Sequence, residues 1–291
     1  MAAGITLLQV SANPYVALLG PTETASRRLT LTQAFNSLGT VVGPIVGGAL
    51  ILSAVANAGG GADAVRVPYA FLGGALVLLA VVFLFIKLPV IDEDENAQGS
   101  YGDAMKYKHL LMGVAAIFLY VGAEVSIGSF IINFLGESNI AGMGEEEAAK
   151  YVSYYWLGAL IGRFIGVALM FVVAANIMLL VNSIGAIVLL IVAILTEGTT
   201  AWVALLGVGL FNSLMFPTIF SLAIAKMGPL ASRGSGLLCM AIIGGALVPL
   251  IQGLFADSIG LQLSFIVPAA CYIYIAFYGL KGWQPKGPGI A

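Results

Sequence analysis

Two stretches about 205 residues apart carry one pattern, each within apolar sequence long enough to cross a bilayer. Residues 11–48 read SANPYVALLGPTETASRRLTLTQAFNSLGTVVGPIVGG, and residues 214–253 read LMFPTIFSLAIAKMGPLASRGSGLLCMAIIGGALVPLIQG. At an offset of 205, Arg28 falls on Arg233, Gly39 on Gly244, Pro44 on Pro249 and Gly48 on Gly253. Upstream of the arginine the offset is 203, which matches Pro14 with Pro217 and puts a length change in a loop. Each copy is an apolar span with a proline, a short loop ending in Arg, and a Gly-rich span with a second proline. Same-orientation repeats of this kind mark duplicated halves of a membrane bundle, and a chain built on one has few other folds open to it.

Composition supports the bilayer as solvent. The chain is 60% apolar and 9% charged, whereas a soluble domain carries about 25% charged residues. Its 37 glycines suit spans that approach closely. A net charge of −2 and the absence of a basic patch give no reason to expect nucleic acid as a partner. Cys239 and Cys271 lie in apolar stretches and read as small core residues. No metal is expected: Glu145, Glu146 and Glu147 form a solvated turn before a helix. An enzyme is not expected either. No nucleophile–base pair is evident, and the single histidine, His109, stands at a loop edge.

Runs of about 20 apolar residues lie near 2–20, 29–53, 67–88, 108–135, 151–173, 175–195, 201–225, 235–256 and 263–283. The fold class is therefore all-α and polytopic. The hydrophilic stretch 91–107 separates a transmembrane part at 1–90 from one at 108–291. Because span one matches span seven, the repeating unit is six spans. Residues 1–90 then supply the last three helices of a first half, and nine helices of an expected twelve are present. Three more are expected before Met1. A nine-span protein with an external N-terminus is the alternative.

Lysine and arginine set the orientation. With the 21–28 loop in the cytoplasm, Arg27, Arg28, Lys87, Lys106, Lys108, Arg163, Lys226, Arg233, Lys281 and Lys286 fall at or near that side, and only Arg66 and Lys150 fall outside. A multi-pass protein of the inner membrane with a cytoplasmic C-terminus is expected.

Polar side chains inside such spans are tolerated where they pair or line a cavity. Glu124 stands mid-span in IFLYVGAEVSIGSF, sixteen residues from Lys108, or about 24 Å along a helix. A carboxyl at that depth costs about 2.5–3.5 kcal/mol to insert, so a proton-exchanging or ligand-binding role competes with a neutral acid bonded to a neighbouring helix. Thr6, Gln9 and Asn13 share one face of the first span, and Gln33, Asn36 and Thr40 one face of the second, with Ser37 adjacent. Both sets are candidates to line a cavity. Tyr120 shares the face of Glu124, as a core residue or a stacking surface. Asn212 and Phe216 in NSLMFP are the matching candidates further along, and Asn133 lies half a turn off the Glu124 face. Pro14, Pro44, Pro217 and Pro249 are expected to kink their helices.

QVSANPYVALLGP, TLTQAFNSLGTVVGP, YVGAEVSIGSF, LIGRFIG and MFPTIFSLAI together resemble the fucose–galactose–glucose/hexose permease branch of the major facilitator superfamily. The resemblance extends over essentially all 291 residues. It implies a major facilitator-type bundle that moves a hexose by cation-coupled symport and alternating access, with no cofactor and with a proton or sodium as coupling ion. In the fucose permease the position matching Gln9 is a carboxylate that takes part in proton coupling; the amide here points toward the glucose/galactose members. Sugar contacts are expected from Gln9, Asn13, Gln33, Asn36, Tyr120, Glu124, Asn212 and Phe216, ion coupling from Glu124, and gating from Arg163, which would meet a gate-side anion or a lipid headgroup. Gly39, Gly43 and Gly47 would face Gly158, Gly162 and Gly166 across the two halves as a smooth seam; static packing is the alternative. Membrane lipid and a small-molecule sugar are the expected partners of a monomer. A sugar sensor on the same scaffold, or an inactive fragment, is the rival reading.

Overall fold

The computed structural model of the protein describes residues 2–58, 63–87, 89 and 100–288. Its helices are α1 (Ala2–Leu18), α2 (Ala25–Ala58), α3 (Asp63–Phe85), α4 (Tyr101–Ala104), α5 (Lys108–Gly136), α6 (Glu145–Leu169) and α7 (Ala175–Leu195). They continue through α8 (Gly198–Asn212), α9 (Met215–Ala223), α10 (Ala231–Met240), α11 (Gly244–Ile259), α12 (Leu261–Ser264) and α13 (Ile266–Phe277). Six helical stretches among the described residues are long and apolar enough to cross a membrane. They are α5, α6, α7, Gly198–Ala223, Gly228–Ile259 and Leu261–Gly282. Residues 91–99 lie outside the described residues, as do the side chains of Thr6, Gly43, Pro44 and Gly47.

The chain forms two compact units. One joins Met1–Phe35 with Glu93–Ala291, and the other is Asn36–Asp92. Unit two holds most of α2 and all of α3, whose Tyr69–Phe85 is a shorter apolar helix. Unit one holds α1, the start of α2 and the six long spans.

α5 is the central helix of unit one. Ala116, Tyr120, Ala123, Ile127, Ile131 and Phe134 are buried along one stripe at helical spacing, so one face of the helix is committed to the core. α11 packs against it where Gly122 meets Val248 and where Gly244 leaves room for the Phe118 carbonyl. Glu145, Glu146 and Glu147 form the exposed first turn of α6, where carboxylates complement the helix dipole. His109, the second residue of α5 and so at the loop edge as expected, is also buried: its Nε2 donates to Ala225 O at 2.9 Å, and its Nδ1 accepts from Lys286 N at 3.2 Å. That pair ties the C-terminal tail to the start of α5.

The repeat is visible as two like corners. The first copy makes a short 3₁₀ turn at Thr22–Thr24, just after Gly20–Pro21, and the second makes one at Gly228–Leu230, which includes Pro229; the chain then enters a helix at Ala25 and at Ala231. These starts lie 206 residues apart, within one residue of the 205 offset that matches Arg28 with Arg233. Arg28 wraps the first corner. It donates to Val16 O (3.1 Å), Ala17 O (2.6 Å), Gly20 O (3.2 Å), Pro21 O (3.0 Å) and the Thr24 hydroxyl. Carbonyls left over at the end of α1 are thereby satisfied.

Candidate functional site

The site forms around a break in one span. Pro217 has no N–H and its ring crowds the carbonyl four residues back, so Ser213 O loses its helical partner. The helix stops at Asn212 and resumes at Met215. α6 reaches this point because its glycines allow it. A Cβ on Gly158 would lie 3.2 Å from Leu210 N, and one on Gly162 would lie 2.6 Å from Ser213 Oγ and closer still to Leu210 O. Gly209 opposes them, leaving room for the Tyr155 carbonyl. The glycine face of α6 is therefore spent on the span Gly198–Ala223 within its own six-helix half. Of the residues expected to face it, Gly43 and Gly47 lie outside the described side chains.

That close approach delivers Arg163. Its Nε donates to Ser213 O at 2.9 Å and its Nη1 to Gln33 O at 3.4 Å. At 9% exposure it is too buried for the expected lipid-headgroup contact; its bonds go to backbone carbonyls. It is also the cation whose field reaches Glu124, Tyr120 and Tyr155.

On the other side of the break, Tyr120 Oη lies 2.8 Å from Glu124 Oε1 and 3.0 Å from Asn212 O. Asn212 Nδ2 donates to Tyr155 Oη at 2.7 Å, and its Oδ1 accepts from Tyr272 Oη at 2.6 Å. Tyr155 Oη donates in turn to Glu124 O at 3.2 Å. Tyr120 is 1% exposed, and Asn212, Tyr155 and Tyr272 are 0% exposed. Asn212 and Tyr120 are thus buried, and their polar side-chain atoms are bonded within the protein. Glu124 itself is only partly buried, and its Oε2 has no hydrogen-bond partner among the described residues.

The other expected residues fall into two groups. Asn13 is buried and accepts from Gln33 Nε2 at 3.5 Å, while its Nδ2 has no partner among the described residues. Asn13, Gln33, Arg163 and Ser213 therefore form a line from α1 to the break. Gln9 and Asn36 are exposed, as are Thr40 and Asn133, while Ser37 is buried. Phe216 is half-buried and stacks on Phe220 at 5.9 Å. Tyr155 and Tyr272 are the members that sequence reasoning missed. Tyr155 shares the face of Gly158 and Gly162, a signal that was available; Tyr272 reads as one more aromatic in an apolar run.

A cavity of about 530 Å³ lies elsewhere, lined by Glu23, Ser26, Asn176, Ser221, Lys226 and Trp283 among others. It shares no residue with the Glu124 lattice. Beside it the Ser26 and Ser221 hydroxyls meet at 2.5 Å, and Arg27 lies 3.9 Å over the Phe171 ring. Chain around the start of α2 is thus fastened to α9 and to the end of α6.

Comparison with known proteins places these features. Residues 1–241 match the family profile described as Major Facilitator Superfamily. A glucose/galactose transporter of Brucella abortus biovar 1 (strain 9-941) is 54% identical over 286 residues, covering 97% of this chain and 69% of the relative. The L-fucose-proton symporter of Escherichia coli (strain K12) is 30% identical over 303 residues, covering 96% and 69%. A crystal structure of the E. coli fucose:proton symporter superposes with a TM-score of 0.88 at 28% identity, covering 97% of this chain and 74% of that one.

Proposed function

The chain belongs to the Major Facilitator Superfamily, and from that premise we propose that it moves a hexose of the glucose or galactose type by cation-coupled symport. The substrate class rests on the relative named a glucose/galactose transporter. The observation that carries the coupling is the state of Glu124. It stands mid-span, one carboxyl oxygen is held by Tyr120, and the other has no hydrogen-bond partner among the described residues. A single carboxyl can load and release a proton, whereas a sodium ion draws on several oxygen ligands, so the proton is the favoured ion.

In this reading Gln9, Asn13, Gln33 and Asn36 offer amides to sugar hydroxyls from α1 and α2. Phe216 offers a ring face, and Glu124 accepts a hydroxyl or a proton. Each amide contact contributes about 1 kcal/mol net. Arg163 acts as a gating residue by holding the broken span to Gln33. The bias of Lys and Arg supports an inner-membrane protein with its C-terminus in the cytoplasm, surrounded by lipid and acting as a monomer.

Counterflow in proteoliposomes tests the proposal. Vesicles preloaded with unlabelled glucose or galactose should draw in labelled sugar transiently above equilibrium. Binding of labelled sugar with no exchange would make the protein a sensor instead.

A further inference from the structure

We propose that Tyr120 is a positioning residue that ties the protonation of Glu124 to the break between α8 and α9. The inference rests on the reading of Glu124 as the coupling group, and it follows from counting protons. Tyr120 Oη has one hydrogen and faces two acceptors, Glu124 Oε1 at 2.8 Å and Asn212 O at 3.0 Å. It can serve only one of them at a time. When Glu124 is ionised, the charge-assisted bond to the carboxylate takes the hydrogen, and Tyr120 no longer caps Asn212 O. When Glu124 is neutral it donates its own proton to Tyr120 Oη, and the tyrosine hydrogen turns to Asn212 O. The cap on one side of the break is therefore present in one protonation state and absent in the other.

The other side of the break is not switched. Arg163 donates to Ser213 O throughout, and its charge is permanent. The ionisable groups around Glu124 are few: Arg163 and Tyr155 from α6, Tyr272 from α13 and Tyr120 on α5 itself. α8 and α9 carry no ionisable side chain, and α11 meets α5 through Gly122, Val248, Gly244 and Gly245, with its only acid, Asp257, near its far end.

The break has a mechanical continuation. α9 runs from Met215 to Ala223, bears the half-buried Phe216, and ends beside Ser221, whose hydroxyl meets Ser26 at the start of α2. Capping or uncapping the break changes how rigidly α8 and α9 are joined, and so how firmly the Ser26–Ser221 contact is held. Protonation at Glu124 is read out about nine residues further along the span by an element with two states, which is what coupling between sites requires.

Hydrogen exchange across residues 211–220, corrected for intrinsic pH dependence and measured on the full chain in detergent or nanodiscs, tests the link. In the wild type, acidification through the titration of Glu124 should slow exchange in this segment by about tenfold, the scale set by one buried carbonyl gaining or losing its donor. Tyr120→Phe keeps the ring and removes the shared hydrogen, so the step should vanish; Glu124→Gln should also abolish it. Tyr155→Phe, which loses the bonds to the Glu124 backbone and from Asn212 Nδ2 but none to the Glu124 carboxyl, shifts the exchange level at all pH values and should retain the step. A step that survives in Tyr120→Phe, or its absence from the wild type, overturns the proposal; the wild-type arm stands even if a variant fails to fold. If the step behaves as predicted but Glu124→Gln still accumulates sugar uphill, the Tyr120 link holds and the coupling role of Glu124 fails.

Discussion

Gly162→Ala should destabilise the protein far more than its chemistry suggests. An added Cβ would lie 2.6 Å from Ser213 Oγ and 2.7 Å from Ser213 Cβ, and nearer still to Leu210 O, where ordinary contact begins at 3.4 Å. The serine hydroxyl can rotate away, but its Cβ and the Leu210 carbonyl are fixed to the backbone. α6 and α8 must then separate by roughly 1 Å, enough to forfeit a quarter to a half of the dispersion attraction along the seam. The same displacement would carry Arg163 Nε from 2.9 Å to beyond the ~3.2 Å reach of a hydrogen bond to Ser213 O. Overpacking costs about 1–3 kcal/mol, and an uncapped buried carbonyl about 1–3 kcal/mol more. Helix propensity returns about 1 kcal/mol for Gly to Ala. The net loss should be about 1–5 kcal/mol. Gly128→Ala is the control, because its Cβ would meet Trp156 at 3.5 Å and Tyr155 at 3.7 Å, both ordinary contacts. Thermal unfolding in one detergent should place Gly162→Ala several degrees below wild type and Gly128→Ala level with it or above. Equal midpoints for the two variants would refute the argument that the α6 glycines are spent on the broken span.

Two further predictions concern the amides of α2 and the cap of α4. Gln33→Ala and Asn36→Ala should each weaken sugar binding by about fivefold, one hydrogen bond's worth, with little loss of stability, since an interhelical polar contact averages only about 0.6 kcal/mol; calorimetric titration beside thermal unfolding separates the two effects, and unchanged binding with collapsed stability would make the amides structural. Asp103 is held below the usual carboxylate range by Lys106, at 2.7 Å, and by the N–H and hydroxyl of Ser100. Its folded value is lowered, so the cap it forms on α4 is complete above about pH 5 and is lost as pH falls from the ordinary value near 4 through the folded one. Amide protection at Asp103 and Ala104 should follow that course, and Asp103→Asn should remove its pH dependence.

What was legible in the sequence was whatever depends on spacing within one helix. The α5 stripe from Ala116 to Phe134, the mid-span position of Glu124 and the like corners at Gly20–Pro21 and Gly228–Pro229 all follow from local pattern. What was not legible depends on which helix a face meets. The GxxxGxxxG face of α6 was plain, but its partner was not, because a smooth face fits any close neighbour. Pro217 announces an orphaned carbonyl at Ser213, yet nothing local says that Arg163, fifty residues earlier, will cap it. Tyr155 and Tyr272 escaped notice because a tyrosine in an apolar run reads as core until its hydroxyl finds Asn212. The amide of Asn212 suggests a sugar contact in the sequence, and the structure spends that amide on two tyrosines.

Uphill uptake and counterflow, measured in the same vesicles at several external pH values for wild type and Glu124→Gln, test the central claim most directly. The amide keeps the shape of the carboxyl and its hydrogen bonding but cannot titrate. If Glu124 couples the ion, the variant should lose gradient-driven accumulation of glucose or galactose while counterflow persists with little dependence on pH. Accumulation at the wild-type level by Glu124→Gln would contradict the account.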